Sequence, residues 1–412
     1  MDGGRRKPGS HHQATALEVA NAVTSTALAN AFPVQPPPIR ILAITPSFLP
    51  DLGGLEQVVL ELARRVREFG IEMDVAHVAK GLNRTTEYVQ DIKVYRIPLV
   101  GNRFVGWARG LRRLTRGYDL LHVHDPQLSA LSGNVRWFCG AVPAVLSTHG
   151  GFWHSRNHYL FKKVYEATLL RGNASHYRRV LASSVGDYNY FSGFAEHVAL
   201  CSNGVPVKRF NAVTAAEGRS LLRWIYWGRL SRNKRVDQTI DYVGHARRMG
   251  HPVELLICGK DFDGLLPELQ SQVRRLGLGD AITFESHLDD GALRAELTRR
   301  GLYMTASDYE GFGLSIVEAM AAGLTVVCRD IAPLNTFFAH GEAGWLLKFD
   351  DSPRDLEVLN EILGASRHQA AAMSAAAREA AKLHDWDTVT PRFVQQYRDV
   401  LSSQGANRLA VA

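Results

Sequence analysis

Two glutamates, Glu310 and Glu318, stand with seven residues between them in the stretch Ser307-Asp308-Tyr309-Glu310-Gly311-Phe312-Gly313-Leu314-Ser315-Ile316-Val317-Glu318. An apolar strand precedes this stretch, a helix opens inside it, and Gly323 closes the helix before another strand. Gly311 and Gly313 carry no Cβ, so the loop's main chain can come close to a ligand, and the unpaired N–H groups of a helix start attract an anion such as a diphosphate. One carboxylate in the loop and a second one turn inside the helix can reach opposite ends of a single bound molecule, and hydroxyl-bearing ligands suit both. Taken singly, a charge at a helix start and a glutamate on a helix face are ordinary surface features. The glycines between them and the strand–loop–helix context turn the reading toward a ligand.

Three further stretches sit at the same kind of place. In Trp227-Gly228-Arg229-Leu230-Ser231-Arg232-Asn233-Lys234-Arg235 a strand ends in glycine and cations fill the turn before a helix. A basic turn alone is a solvated surface, but the carboxyl end of a strand in an α/β sheet is where such folds bind ligands. Pro50-Asp51-Leu52-Gly53-Gly54-Leu55-Glu56 joins the first strand to a helix, and Gly53 and Gly54 serve either a tight turn or a close ligand approach. Its spacing departs from the dinucleotide fingerprint, so no redox cofactor is expected. Ser147-Thr148-His149-Gly150-Gly151-Phe152-Trp153-His154 also follows an apolar strand and sets His149 beside glycines. The neighbouring His122, His124 and His154 lack an acidic partner at metal-binding spacing, so no metal is expected. Cys139, Cys201, Cys258 and Cys328 form no CxxC pair, which argues against a zinc site or a disulfide framework.

The elements that would position these residues alternate strand and helix from Ile39 onward, the pattern of a parallel sheet covered by helices. Strands are expected at 39–44, 72–78, 94–98, 120–124, 142–148, 179–182 and 197–200. After a polar break at 211–218 a second series follows at 223–227, 253–258, 282–284, 302–305, 325–328 and 344–347. The fold class is therefore α/β, with two doubly wound Rossmann-like units. The expected division is a disordered N-terminal extension over 1–38, a first domain over 39–208, a second over 209–385, and a C-terminal helix and tail over 386–412. The aromatic stripe Trp386, Phe393, Tyr397 in that last segment reads as a packing face.

With 412 residues, 46% hydrophobic and 22% charged, the chain has the composition of a folded globular protein and the length for two domains. It has no apolar run of about 18 residues and no secretory signal pattern, so a cytoplasmic protein is expected. A net charge of +7 calls for an anionic partner, which charge alone leaves as nucleic acid, diphosphate or anionic membrane. No RNA- or DNA-binding module is present in the sequence. Arg103, Arg109, Arg112, Arg113 and Arg116, interleaved with Phe104, Val105, Trp107 and Leu111, suit an amphipathic helix that either lies on an anionic leaflet or is simply solvated.

Glu310 and Glu318 with Gly311-Phe312-Gly313 between them resemble the E-x7-E signature of the retaining glycosyltransferases of family 4 (glycosyl transferases group 1), which have the GT-B fold. The likeness runs over about residues 39–403, and the basic turn, the His149 stretch and Asn203-Gly204-Val205 fall in the family's order. It implies two Rossmann-like domains facing a central cleft, an acceptor in the first, a nucleotide-sugar donor in the second, and a C-terminal helix packing across. On the same resemblance Glu310 lies near the donor sugar, Glu318 takes the nucleotide ribose, Arg229 and Lys234 bind the diphosphate, and His149 faces the sugar. Gly53, Gly54, Gly311, Phe312, Gly313 and Leu314 complete the implied donor site, and no cofactor or metal is required. The wording of the His149 and Glu310 stretches is similar to GDP-mannose-dependent α-1,3-mannosyltransferases of xanthan- and acetan-type exopolysaccharide assembly. That similarity implies GDP-mannose as donor, a polyprenyl-diphosphate-linked oligosaccharide as acceptor, and peripheral contact with the inner face of the plasma membrane. Sibling enzymes use UDP-glucose, UDP-galactose or UDP-GlcNAc with the same motifs. A nucleotide-sugar 2-epimerase and a non-catalytic nucleotide-sugar-binding or membrane scaffold are the rival classes.

Overall fold

In the computed structural model the described residues are 37–50, 53–102, 104, 106–125, 128–150, 159–211 and 219–410. The expected extension therefore lies, but for Pro37 and Pro38, outside the described residues, as do Arg103, Val105, His154 and all of the polar break at 211–218 except Asn211.

Nine strands form the first sheet: β1 Ile39–Thr45, β2 Ile71–Ala79, β3 Thr85–Val89, β4 Ile92–Gly101, β5 Gly106–Ala108, β6 Leu120–His124, β7 Ala144–Ser147, β8 Arg179–Ala182 and β9 Val198–Leu200. Their order is β3-β4-β2-β1-β6-β7-β8-β9, with β5 also on β4. The second sheet contains β10 Ser220–Trp227, β11 Glu254–Cys258, β12 Ile282–Glu285, β13 Arg300–Thr305, β14 Thr325–Arg329 and β15 Gly344–Leu347, in the order β12-β11-β10-β13-β14-β15. Every pairing in the second sheet is parallel. Two doubly wound α/β units are thus present as expected.

Burial on both faces explains the near-continuous apolar strands. Along β1, Ile41 and Ala43 enter the core on one face, and Leu42 and Ile44 the core on the other. In β10, Ile225 and Trp227 face one side of the second sheet and Trp224 and Tyr226 the other. The alternation follows from the period of two in a strand.

Two expectations need correction. The first sheet is not wholly parallel, because β3 and β5 pair antiparallel with β4. The Thr85–Val89 strand is exposed along most of its length and so carries no apolar pattern that could announce it. The 103–116 segment is not one amphipathic helix either. It splits into β5, a turn, and a short helix Leu111–Thr115. Gly110 takes a φ of +91°, and a Cβ on Gly106 would stand 2.4 Å from the Asn102 carbonyl oxygen, so both glycines hold an irregular backbone there.

After the second sheet the chain returns to the first. In the helix Trp386–Ala410, the residues Trp386, Val389, Phe393, Val394, Tyr397 and Val400 join the first-sheet core. At the crossing, the backbone N–H of Val205 donates to His384 O at 2.8 Å and that of Trp386 donates back to Val205 O at 3.3 Å. Gly204 lies flat against the indole, and a Cβ there would be 2.3 Å from its ring. Arg65 and Lys208 both reach the Asp387 carboxylate at 2.6 Å. Trp386 is only 1% exposed, so Trp386→Ala should cost about 3–5 kcal/mol of stability. A urea-unfolding midpoint unchanged by the substitution would mean that the indole is not a packing anchor.

Candidate active site

The loop between β13 and the helix Leu314–Ala321 holds Glu310. Gly313 caps the helix start with a φ of +102°, and a Cβ there would be 2.9 Å from Leu334, so both conformation and space demand glycine. The Glu310 carboxylate receives Lys234 Nζ on both oxygens, at 2.7 and 2.8 Å, in a pair whose side chains are 9% and 15% exposed. Lys234 comes from a single 3₁₀ turn, Arg232–Lys234, between β10 and the helix Val236–Arg248. Asn233 ties the two loops together: its Nδ2 donates to Tyr309 O at 3.1 Å, and Asp308 N donates to its backbone oxygen at 2.9 Å.

Glu318 lies one turn into its helix and accepts Trp227 Nε1–H at 3.0 Å. Burial pushes its carboxyl above the ordinary glutamate value, and the indole donor holds it back. The Trp227 ring meets Tyr303 edge-on at 4.6 Å, and the Tyr303 hydroxyl pairs with Ser315 Oγ at 2.9 Å, so the Glu318 turn rests on an aromatic floor. Arg229 is exposed, with its guanidinium 5.0 Å above the Phe262 ring. Phe312 points away from the loop surface: its ring is buried against Phe337 at 5.3 Å and His384 at 5.5 Å. Only its main chain is left to offer a ligand, because the side chain belongs to the core.

Opposite these loops stands the end of β7. His149 Nε2 pairs with His124 Nδ1 at 2.9 Å, the two rings stacked 5.2 Å apart. His122, two residues before His124 on β6, bonds Ser147 Oγ through Nε2 at 2.7 Å and the Tyr397 hydroxyl through Nδ1 at 2.8 Å. Burial lowers His149 to about 4 and His122 to about 3, and drives His124 well below its ordinary value, so all three are neutral imidazoles near pH 7. His149 Nδ1 is buried with no hydrogen-bond partner among the described residues.

The two sides touch through glycine. Gly150 has a φ of +104°, and a Cβ on it would be 2.4 Å from Gly311 Cα; one on Gly311 would be 2.4 Å from His149 O. Gly54, at the start of the helix Gly54–Arg65, faces Leu314 Cδ1, 3.1 Å from where its Cβ would be, while Gly53 is the extended residue capping that helix. Lys234 and Glu310 are therefore in direct contact, His149 and Gly311 are neighbours, and Arg229 stands apart on Phe262. Asn233, Trp227, His124, His122 and Tyr397 bond to or support the expected site residues, a role that motif spacing alone does not assign to them. The alternation of His122 and His124 along a strand does signal that they share a face, here beneath His149 and not around a metal. Among the described residues no group of three or more His, Cys, Asp or Glu is placed to hold a metal ion, and no helix is long and apolar enough to cross a membrane.

A mostly parallel first sheet and a wholly parallel second one, both doubly wound, with an acid-bearing loop and a cationic turn at the strand ends of the second, have the architecture of a glycosyltransferase of the GT-B class. Residues 52–209 match the pattern described as Glycosyltransferase Family 4, and residues 219–380 match Glycosyl transferases group 1. The chain belongs to this glycosyltransferase family. It is 27% identical over 371 residues to the GDP-mannose:cellobiosyl-diphosphopolyprenol alpha-mannosyltransferase of Komagataeibacter xylinus, covering 88% of this chain and 94% of the relative. It is also 27% identical over 380 residues to the phosphatidyl-myo-inositol mannosyltransferase of Mycobacterium leprae, covering 89% and 98%. The solved sucrose-phosphate synthase of Thermosynechococcus elongatus superposes with a TM-score of 0.70 at 18% identity, over 89% of this chain and all of that one, which bears on the fold.

The neutral histidines set a pH dependence. Between about pH 4 and 6.5 an unfolded chain protonates His149 while the folded chain does not, so stability rises with pH through that window and levels off above it. The slope for one such group approaches ~1.4 kcal/mol per pH unit. Urea unfolding across this window should give His149→Asn a shallower slope than the wild type; equal slopes would show that His149 takes up its proton in the folded protein.

Proposed function

We propose that this glycosyltransferase moves mannose from GDP-mannose to a polyprenyl-diphosphate-linked oligosaccharide, with retention of configuration, in exopolysaccharide assembly. The observation that carries the site reading is the meeting of the Glu310 loop and the His149 loop at Gly150 and Gly311. The loop that carries a carboxylate–ammonium pair thereby meets the loop that carries a neutral imidazole, at the carboxyl ends of both sets of strands, which supports one shared site. Mannose is supported by relatives that share it while differing in acceptor, one named for cellobiosyl-diphosphopolyprenol and the other for phosphatidyl-myo-inositol. What those acceptors have in common is a lipid anchor.

In this reading Glu310 and His149 hold the sugar, Glu318 takes the ribose, and Arg229, Lys234 and the N–H groups at the Leu314 helix start receive the diphosphate. The bond from the anomeric carbon to the diphosphate breaks. The acceptor oxygen bonds to the same face of that carbon, and its proton leaves with the departing diphosphate. Arg229 and Lys234 offset the charge that grows on the leaving group, so the reaction asks for no protein nucleophile and no metal. Gly53, Gly54 and Leu314 close the wall between donor and acceptor.

Transfer of labelled mannose from GDP-mannose to a lipid-linked cellobiose, with mass analysis of the product, tests the assignment. Glu310→Ala and Lys234→Ala should each abolish transfer. Glu318→Ala removes hydrogen bonds to a charged group worth ~1.5–3 kcal/mol, so the donor KM should rise roughly 10- to 100-fold with kcat largely kept. A loss confined to kcat would take Glu318 off the ribose.

A lipid-anchored acceptor also gives the exposed basic and aromatic surface of the first sheet a use. Arg109, Arg112, Arg113 and Arg116 are exposed near Trp107, which packs on Phe138 at 4.2 Å beside the exposed Trp137. Arginine with interfacial tryptophan suits an anionic leaflet, and such contact would hold the protein at the inner face of the plasma membrane. Changing these four arginines to serine should abolish flotation with phosphatidylglycerol vesicles, and undiminished flotation would remove this surface from the proposal.

A further inference from the structure

Asp187 belongs to none of the motifs above. It sits in the first turn of the helix Val185–Ser192 after β8 and is 8% exposed. The helix start is capped without its carboxylate, since Ser184 Oγ accepts the Asp187 backbone N–H at 3.2 Å. The carboxylate goes instead to the His149 loop. Its Oδ2 accepts the hydroxyls of Thr148 and, at 3.1 Å, Ser183, and the backbone N–H of Gly150 also bonds to it. Thr148 is fixed from a second direction, because its Oγ1 accepts Ser183 N–H at 2.9 Å and its own N–H donates to Leu181 O at 3.0 Å.

One carboxylate therefore grips the residues on both sides of His149. Burial and these three donors act on it, with no cation joining them among the described residues. A buried carboxylate held by dipoles alone costs more than a neutral residue would, and neither helix capping nor an ion pair with any described residue accounts for it here. The loop it holds is the one with no slack: Gly150 has no room to move toward Gly311.

We propose that Asp187 is a positioning residue for sugar transfer, clamping Thr148 and Gly150 so that His149 is held against the donor sugar. The inference rests on the sugar-facing role of His149 given above. A displacement of about 1 Å in a substrate-positioning group can cost on the order of 100-fold in rate. Asp187→Asn keeps an acceptor for Thr148 but turns an amide N–H₂ toward the remaining donors.

Kinetics with GDP-mannose and lipid-linked cellobiose, together with calorimetric binding of GDP alone, test it. Asp187→Asn should lower kcat roughly 10- to 100-fold while GDP affinity, which does not involve His149, stays within about twofold. In a His149→Ala background the same change should cost less than about threefold, because the group it positions is gone. An equal loss in both backgrounds overturns the proposal. Wild-type rates for His149→Ala would overturn the sugar-facing reading itself, which separates the two failures. Should Asp187→Asn not fold, Thr148 decides: Thr148→Ser, which keeps the hydroxyl, should recover most of the kcat that Thr148→Val loses, and equal rates for the two would also overturn it.

Discussion

Gly150 and Gly311 approach until neither could carry a methyl group, and each lies next to a residue proposed above to touch the sugar, His149 in one loop and Glu310 in the other. A Cβ on either would collide with main chain, which cannot rotate away as a long side chain can. The contact therefore fixes the spacing of two backbones that come from different sheets. Once that spacing is set, His149 and Glu310, each adjacent to its glycine, stand on the two loops that meet there. The rest of the arrangement supports this meeting: Asn233 ties the lysine turn to the glutamate loop, and Asp187 ties the histidine loop to its own sheet.

Charge is distributed unevenly around the meeting point. Lys234 and Glu310 offset one another at 2.7 Å, so as a pair they bring little net charge. The net positive potential toward the proposed diphosphate then comes from Arg229 and from the backbone N–H groups of the Leu314 helix start, with Lys234 acting as a local cation beside its own counter-ion. On the other side burial keeps the imidazoles neutral near pH 7, so that in the proposed role His149 offers the sugar a hydrogen bond and no charge. This division suits a reaction in which negative charge accumulates on the leaving group while the sugar itself presents hydroxyls.

Much of the fold was legible because buried parallel strands read as apolar runs. The second-sheet strands and the helix Val236–Arg248 lie where the pattern put them, within a few residues. What escaped was what has no such pattern: the exposed edge strand Thr85–Val89, and the break of the 103–116 segment at glycines whose conformation is set by neighbouring backbone. In the candidate site, motif spacing located the loops and the helix start but not the partners of their side chains. Trp227 reads as a strand aromatic, and nothing local indicates that its N–H meets Glu318 from 91 residues away. Phe312 shows the opposite failure, a residue inside a motif whose ring turned into the core.

The C-terminal helix illustrates why packing and chemistry do not separate cleanly. Its aromatic stripe does bury a face, as the spacing of Trp386, Phe393 and Tyr397 suggests. Within that stripe Tyr397 also reaches His122 from 275 residues away, and with Ser147 it leaves both ring nitrogens of His122 bonded. His122 in turn lies 4.0 Å from His124, whose Nδ1 faces His149 Nε2. Of those two facing nitrogens one must carry the proton and the other accept it, since both rings are neutral. The bond therefore makes the tautomers of the two rings interdependent: Nδ1 of His149 is an acceptor if its Nε2 donates, and a donor if its Nε2 accepts. A helix that begins beyond the second sheet thus packs directly beneath the imidazoles of the first, and the crossing at Gly204 and Trp386 is what brings it there.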